Sequence, residues 1–307
     1  MTESQLNLLI NLLCAVTLFE MMVSIGMGVT FADLMGVARN GRLIGMAALA
    51  NYVCVPAAAV GLLLLFGADA LVAAGFLIAA VCPGAPYGPP FTAIAKGNVA
   101  RAVGLMTILA GSSALVAPLL LHFLLPLTSG DEHVQINVVK MVSALLIAQF
   151  LPLCLGLAIR HWRPAMADRL KKPANLLSLV LNLATFGVIL GVQREMLMGI
   201  PVRAYLGMLA LILVSVGAGW LLGGPGSENR TAMTMATAVR NVAVSLVIAT
   251  GSFAGTKAVT AATAFAIFQT IVMALVALAW GRLLAVPTGT TKIEGPMTEG
   301  VLPGKHP

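Results

Sequence analysis

Residues 81–91 read V-C-P-G-A-P-Y-G-P-P-F, from Val81 to Phe91. Pro83, Pro86, Pro89, Pro90, Gly84 and Gly88 sit between apolar flanks, Ala70 to Ala80 and Thr92 to Ala95. Proline has no backbone N–H and clashes with the preceding turn, so a continuous helix cannot run through this stretch. Lipid cannot hydrogen-bond the backbone groups that are freed. Inside a membrane such a break survives only where other helices bury it or where it lines a watery cavity. A single proline usually marks a kink in a packing helix. A cluster of prolines and glycines points instead to the interrupted helices that form the binding sites of secondary transporters. Pro83, Gly84, Pro86, Gly88 and Pro89 are therefore candidate substrate-binding positions, acting through the backbone N–H groups that the break exposes.

Composition agrees with a membrane setting. The 307 residues are 59% hydrophobic and 9% charged, with a mean hydropathy of +0.99. A soluble core cannot absorb that much apolar surface; a helical bundle in lipid can. The net charge of +7 is not a nucleic-acid footprint, because the cations sit in short loops between apolar spans. Cys14, Cys54, Cys82 and Cys154 all lie in apolar stretches without C-x-x-C spacing. Neither a disulfide framework nor a zinc site is indicated, and no cofactor or metal is expected. The first apolar stretch, Leu6 to Val29, lacks the basic start of a signal peptide and is long enough to span.

Hydropathy gives nine spans, at about 6–29, 43–66, 70–95 (broken), 102–126, 135–159, 174–192, 204–223, 231–253 and 259–281. Short connections make residues 1–284 one transmembrane domain. The tail from 285 to 307, rich in Pro, Gly and Thr, is expected to be disordered. Loop charge alternates. Arg39 with Arg42, then Lys96 with Arg101, then Arg160, Arg163, Arg169, Lys171 and Lys172 fall on one side; Asp69, Asp131 and Glu132 fall on the other. The positive-inside rule then predicts an outside N-terminus and a cytoplasmic C-terminus in a plasma membrane, the inner membrane in a bacterium. Arg194 and Arg203, on the predicted outer side, run against that pattern.

Polar groups inside spans are costly and need a reason. Glu20, in the inner half of the first span, reads either as a proton-coupling carboxylate or counter-charge, or as a neutral hydrogen-bonded residue or one that snorkels to the interface. Asn51, Gln149, Asn182 and Gln269 read first as interhelical glue. The strongest signal of this kind is T-M-A-T-A-V-R-N-V-A-V-S-L, Thr234 to Leu246. Arg240 falls near the middle of an apolar span, where it costs roughly 2.5–3.5 kcal/mol on insertion scales unless it meets a polar partner or cavity. It is either a structural ion pair, with Glu20 the obvious candidate, or a charge that faces an anion or replaces a cation. A second broken helix here would also aim a positive N-terminal dipole at an anion.

The chain resembles the bile acid:sodium symporters and their bacterial relatives over most of Met21 to Trp280. The resemblance rests on I-G-M-G-V-T (Ile25–Thr30), V-C-P-G (Val81–Gly84), A-K-G-N-V-A (Ala95–Ala100), L-P-L-C-L-G-L (Leu151–Leu157) and R-N-V-A (Arg240–Ala243). It implies an all-α inverted-repeat fold with two broken helices that cross at mid-depth. A panel would be made by spans at about 6–29, 135–159 and 174–192, and a core by those at about 43–126 and 204–281. It also implies that the family's first helix is missing here. The departures concern sodium. Where the resemblance implies a Thr-x-Ser-Asn-type run, Gly88 and Pro89 stand without a side-chain oxygen. Where it implies Glu-x-Gly-x-Gln-Asn, the chain has Ala236 for the glutamate and Arg240 for the glutamine. A hard cation wants several oxygens, preferably a carboxylate, and a permanently charged guanidinium stands near that place instead. Asn241 matches the family's substrate-side asparagine, while Asn51 and Gln269 match cavity-facing polar positions.

The expected function is secondary transport of a small organic anion by alternating access, with coupling other than to the usual two sodium ions. Thr237, Asn51 and Gln269 are expected to line the cavity, Asn241 to donate to the substrate, and Arg240 to clamp a carboxylate or replace sodium. Sodium symport through rearranged ligands is the alternative within the class. Arsenite export fits less well, since Cys82 precedes the break. An intramembrane enzyme would need paired nucleophiles, bases or ligands that the chain does not show; a non-transporting sensor or scaffold is a further alternative. The coupling ion is left open among proton, sodium and none.

Overall fold

The computed structural model describes residues 2–128 and 136–283. The predicted acidic loop with Asp131 and Glu132 and the predicted disordered tail lie outside the described residues. Everything regular among the described residues is helical, as lipid demands of any chain that is not a closed barrel. Eight helical stretches are long and apolar enough to cross a membrane. A ninth path is interrupted.

In chain order, α1 (Glu3–Met27) is followed by a short helix, α2 (Phe31–Ala38), capped by Thr30 and Asp33. The second span joins α3 (Gly41–Ala48) to α4 (Val55–Phe66) through a wide turn at Leu49–Cys54. The third is α5 (Ala70–Val81), a break, and α6 (Gly88–Ile94). Then come α7 (Val99–Thr128), α8 (Val138–Leu145) with a wide turn at Leu146–Phe150 leading into α9 (Leu151–Trp162), and α10 (Pro164–Val192). A short α11 (Arg194–Met198) precedes α12 (Val202–Leu222). The eighth span is α13 (Ser227–Ala238), a second break, and α14 (Val242–Ser252), and the last is α15 (Lys257–Leu283).

Three expectations change in detail. The span expected at about 174–192 begins at Pro164, so Arg169, Lys171 and Lys172 ride on a helix rather than in a loop. Pro173 is tolerated because that end is exposed, where water can take the carbonyl that proline leaves free. Gly88, Pro89 and Pro90 do not belong to the break. They start α6, since proline fits the first helical turn, whose N–H groups are orphans anyway. The loops expected at 30–42 and 193–203 each contain a short helix.

Alternation of the spans defines two faces. The N-face carries residue 2 and the turns at 67–69, 193–201 and 253–256. The C-face carries 28–40, 95–98, 223–226 and the end of α15. Arg39, Arg42, Lys96, Arg160, Arg163, Arg169, Lys171, Lys172 and Arg282 collect at the C-face. Helix α1 packs on α9, α10 and α14. Gly26 and Gly156 let α1 and α9 touch backbone to backbone, because a Cβ on either would collide with the other chain. Helix α5 packs on α15 and α7, and α12 on α13 and α4. The eighth span is buried from Thr231 to Thr250, whereas Leu8, Leu65, Phe123 and Leu221 stand bare on the periphery, as lipid contact allows.

Candidate functional site

Each wide turn precedes a proline for a physical reason. The N–H of Val55 reaches back to the carbonyl of Ala50, one residue further than in an α-helix. The next residue, Pro56, has no N–H to offer, so the Asn51 carbonyl is left without a helical partner. Leu151 likewise bonds Leu146, ahead of Pro152. Such wide turns recur at functional sites. Here the first presents both the side chain and the carbonyl of Asn51 to the interior.

The two breaks meet. Cys82 precedes a proline, which disfavours helix, and α5 ends there at φ −106°, ψ 79°. Gly84 sits at φ +85°, and a Cβ there would collide with the Ala110 backbone; both facts demand glycine. On the other chain, Val239, Arg240 and Asn241 separate α13 from α14. The Asn241 N–H donates to the Cys82 carbonyl at 2.7 Å, and its Nδ2 to the Gly84 carbonyl at 3.1 Å. Its Oδ1 caps α14 by accepting from the Val244 N–H at 3.3 Å. One asparagine thus ties the breaks together and starts a helix.

Arg240 lies at the crossing, 1% exposed. Its Nη1 donates to Asn51 Oδ1 at 2.8 Å and to the Thr237 carbonyl at 3.1 Å. Its Nη2 donates to the Ala80 carbonyl and, at 3.5 Å, to that of Asn51. Its Nε donates to the Ala79 carbonyl at 3.4 Å. A guanidinium has five N–H donors, and here they meet five oxygens. Ala79 and Ala80 belong to the last turn of α5 and Thr237 to the last turn of α13, the negative ends of both half-helices. Gln269, on α15, serves the backbone of the same residue. Its Oε1 accepts from the Arg240 N–H at 3.0 Å and its Nε2 donates to the Arg240 carbonyl at 3.3 Å. Asn51 Nδ2 completes the cage by donating to Ala47 O at 3.0 Å and Thr237 Oγ1 at 3.3 Å.

Thr237, Arg240, Asn241, Asn51 and Gln269 are therefore brought together, as are Pro83 and Gly84, whereas Pro86, Gly88 and Pro89 lie further along toward α6. Asn51, Thr237 and Gln269, expected to line the cavity, are all buried here and engaged with Arg240 or its backbone. Arg240 has no donor to spare for a substrate carboxylate in this conformation. The candidate ion pair with Glu20 is also absent. Glu20 Oε2 accepts from Ser178 Oγ at 2.5 Å, across the α1–α10 contact, and its Oε1 is buried without a partner. Gln149 does act as glue, its Nε2 donating to Ser113 Oγ at 2.8 Å and to the Ala110 carbonyl. Sequence reasoning missed the carbonyl cage, because backbone oxygens leave no trace in side-chain identity. Pro56 inside an apolar span was the available signal.

A crevice of about 430 Å³ opens at the N-face between α1, α8 and α14, with Asn11, Lys140 and Ser252 on its walls. It runs down α14 as far as Val247, toward the N-terminal end of that helix. Geometrically, the crossing thus puts two helix C-termini on a fixed cation and turns the N-terminus of α14 the other way. The first N–H groups there, of Val242 and Ala243, have no intrahelical carbonyl to meet.

A family model described as the Sodium Bile acid symporter family matches residues 15–200, which includes the first break. A Bacillus subtilis (strain 168) protein named "Uncharacterized sodium-dependent transporter YocS" is 23% identical over 276 residues, covering 87% of this chain and 83% of that protein. "Probable sodium/metabolite cotransporter BASS2, chloroplastic", from Oryza sativa subsp. japonica, is 25% identical over 162 residues, 53% of this chain and 38% of that protein. With its apolar helices and a family match over more than half of its length, the chain is a multi-pass membrane protein that belongs to the sodium bile acid symporter family.

Proposed function

We propose that this protein is a secondary carrier that moves a small organic anion across the plasma membrane by alternating access, with Arg240 holding as fixed charge the place of a coupling cation. The observation that carries this reading is the saturation of the guanidinium by carbonyls at two helix C-termini. Five oxygens converging on one positive charge is what a bound hard cation asks for. A guanidinium there supplies the charge permanently, because it does not lose its proton in proteins. The relatives' printed names speak of sodium; in this chain the arginine makes that ion unnecessary.

The substrate's negative charge is assigned to the N-terminus of α14, at the Val242 and Ala243 N–H groups, where the helix dipole is positive. Asn241 joins it: one Nδ2 hydrogen holds Gly84, and the amide has a second to give. The C-face, with its collected cations, is assigned to the cytoplasm. Glu20, whose Oε1 has no partner, is assigned to proton coupling.

Reconstitution tests this directly. Proteoliposomes carrying the pure protein should take up at least one anion from a panel of labelled small carboxylates and taurocholate. Asn241→Asp, which keeps the helix cap but places a negative charge at the anion site, should lose that uptake. Folded protein that moves none of them would favour the sensor or scaffold reading. Glu20→Gln should abolish uptake driven by a pH gradient while anion exchange persists; intact pH-driven uptake would remove Glu20 from the scheme.

A further inference from the structure

A second cavity, of about 410 Å³, lies at the N-face between the ends of α4, α5, α12 and α15 and beside α11. It shares no residue with the Arg240 cage. Its size falls in the ~300–1,000 Å³ range of small-molecule sites. The walls are apolar, with Leu63, Phe66, Phe76 and Met208 among them. The mouth is charged. Asp69 and Lys257 stand there as an ion pair of 3.0 Å, and the Lys257 hydrogen bond holds the Asp69 carboxyl below its ordinary range. Arg203, in the first turn of α12, also lines the mouth and has no carboxylate partner among the described residues. The adjoining surface is bare of protein: Leu65 is 77% and Val202 75% exposed.

We propose that this cavity holds an acyl chain of an anionic phospholipid drawn from the surrounding leaflet, with the phosphate on Arg203. Charge complementarity selects the occupant. Lys257 is already neutralised by Asp69, so among the described residues the mouth offers one uncommitted cation, at the level of the helix end, where lipid phosphates lie. A planar guanidinium matches a phosphate through paired donors. The apolar walls suit a hydrocarbon tail, and the exposed Leu65 and Val202 give it a way in. The occupant would also bear on the crossing. Phe76 meets Phe265 edge-on, with ring centroids 5.6 Å apart. Ala79 and Ala80, which hold the guanidinium, follow Phe76 by one turn, and Gln269 follows Phe265 by one turn. A filled cavity should therefore stiffen the cage. This proposal stands independently of the transport reading.

Thermal unfolding of the full-length protein in dodecyl maltoside tests it, with three probes. Dioleoyl phosphatidylglycerol and dioleoyl phosphatidylcholine share tails and differ in head charge; glycerophosphoglycerol is the anionic head alone. Phosphatidylglycerol should raise the unfolding midpoint at about tenfold lower concentration than phosphatidylcholine, and the head alone should have no effect. Arg203→Gln, at an exposed position, should erase the difference between the two lipids. Ala204→Trp, which fills the cavity, should erase both shifts. Equal effects of the two lipids on the wild type, a preference that survives Arg203→Gln, or a shift from the head alone would each overturn the proposal. Arg203→Gln decides the matter even if the tryptophan variant does not fold.

Discussion

At the scale of single residues, Arg240 dominates because its surroundings, among the described residues, contain no carboxylate. Its charge is met by carbonyl dipoles and one amide oxygen instead. This arrangement makes opposite demands on the two obvious substitutions. Arg240→Ala strands the Ala79, Ala80, Thr237 and Asn51 oxygens in a dry interior, at about 1–3 kcal/mol for each group left unsatisfied. Arg240→Lys keeps the charge and three donors, so it leaves fewer oxygens bare. Unfolding midpoints in detergent should fall in the order wild type, Arg240→Lys, Arg240→Ala. An alanine variant as stable as the wild type would show the cage to be idle. Gly84→Ala should be severe for a different reason, since positive φ and contact with the Ala110 backbone both exclude a Cβ. The cost should exceed the ~1 kcal/mol by which a compatible Gly→Ala change stabilises, read as lost yield of monodisperse protein. The sequence announced Arg240, because charge in an apolar span is expensive and conspicuous. It could not announce the partners. Glu20, the candidate partner if Arg240 were an ion pair, bonds Ser178 instead; carboxylates are visible in a sequence and helix-end carbonyls are not.

At the scale of elements, interruption rather than length makes the site. The prolines of residues 81–91 and the Arg240–Asn241 pair within residues 234–246 both mark breaks, and the structure places both there. What the pattern could not fix was where each break stops. Proline ends one helix and begins another, and here Pro89 and Pro90 do the second. The wide turn at Leu49–Cys54 is the subtler device. Replacing Pro56 by alanine in an ordinary helix interior should stabilise it by about 3 kcal/mol. Here the new N–H would have the Tyr52 carbonyl as its α-helical partner and draw the turn toward regular α-helix, in which the Val55 N–H takes the Asn51 carbonyl that Arg240 uses. Asn51 would then rotate away from Nη1. Pro56→Ala is accordingly expected to lower the unfolding midpoint, against helix propensity. A raised midpoint would mean that the wide turn is incidental.

At the scale of the whole molecule, α1 with α9 and α10 forms one packed group, and the helices around the crossing form another. The crevice at the N-face runs between them. The cavities were not legible in the sequence, because volume is a property of packing. Positive charge at the C-face leads us to expect the N-face outside. In a Cys154→Ser background, which removes the exposed native thiol, Gly251→Cys should react with a membrane-impermeant maleimide added to intact cells. Labelling only after the membrane is opened would reverse the orientation. The central claim is that Arg240 replaces a bound cation, and the dependence of substrate uptake on sodium tests it most directly. Initial rates into proteoliposomes, measured as sodium is exchanged for choline at constant ionic strength, should stay nearly flat across the whole range. A steep, saturable requirement for sodium would contradict the account.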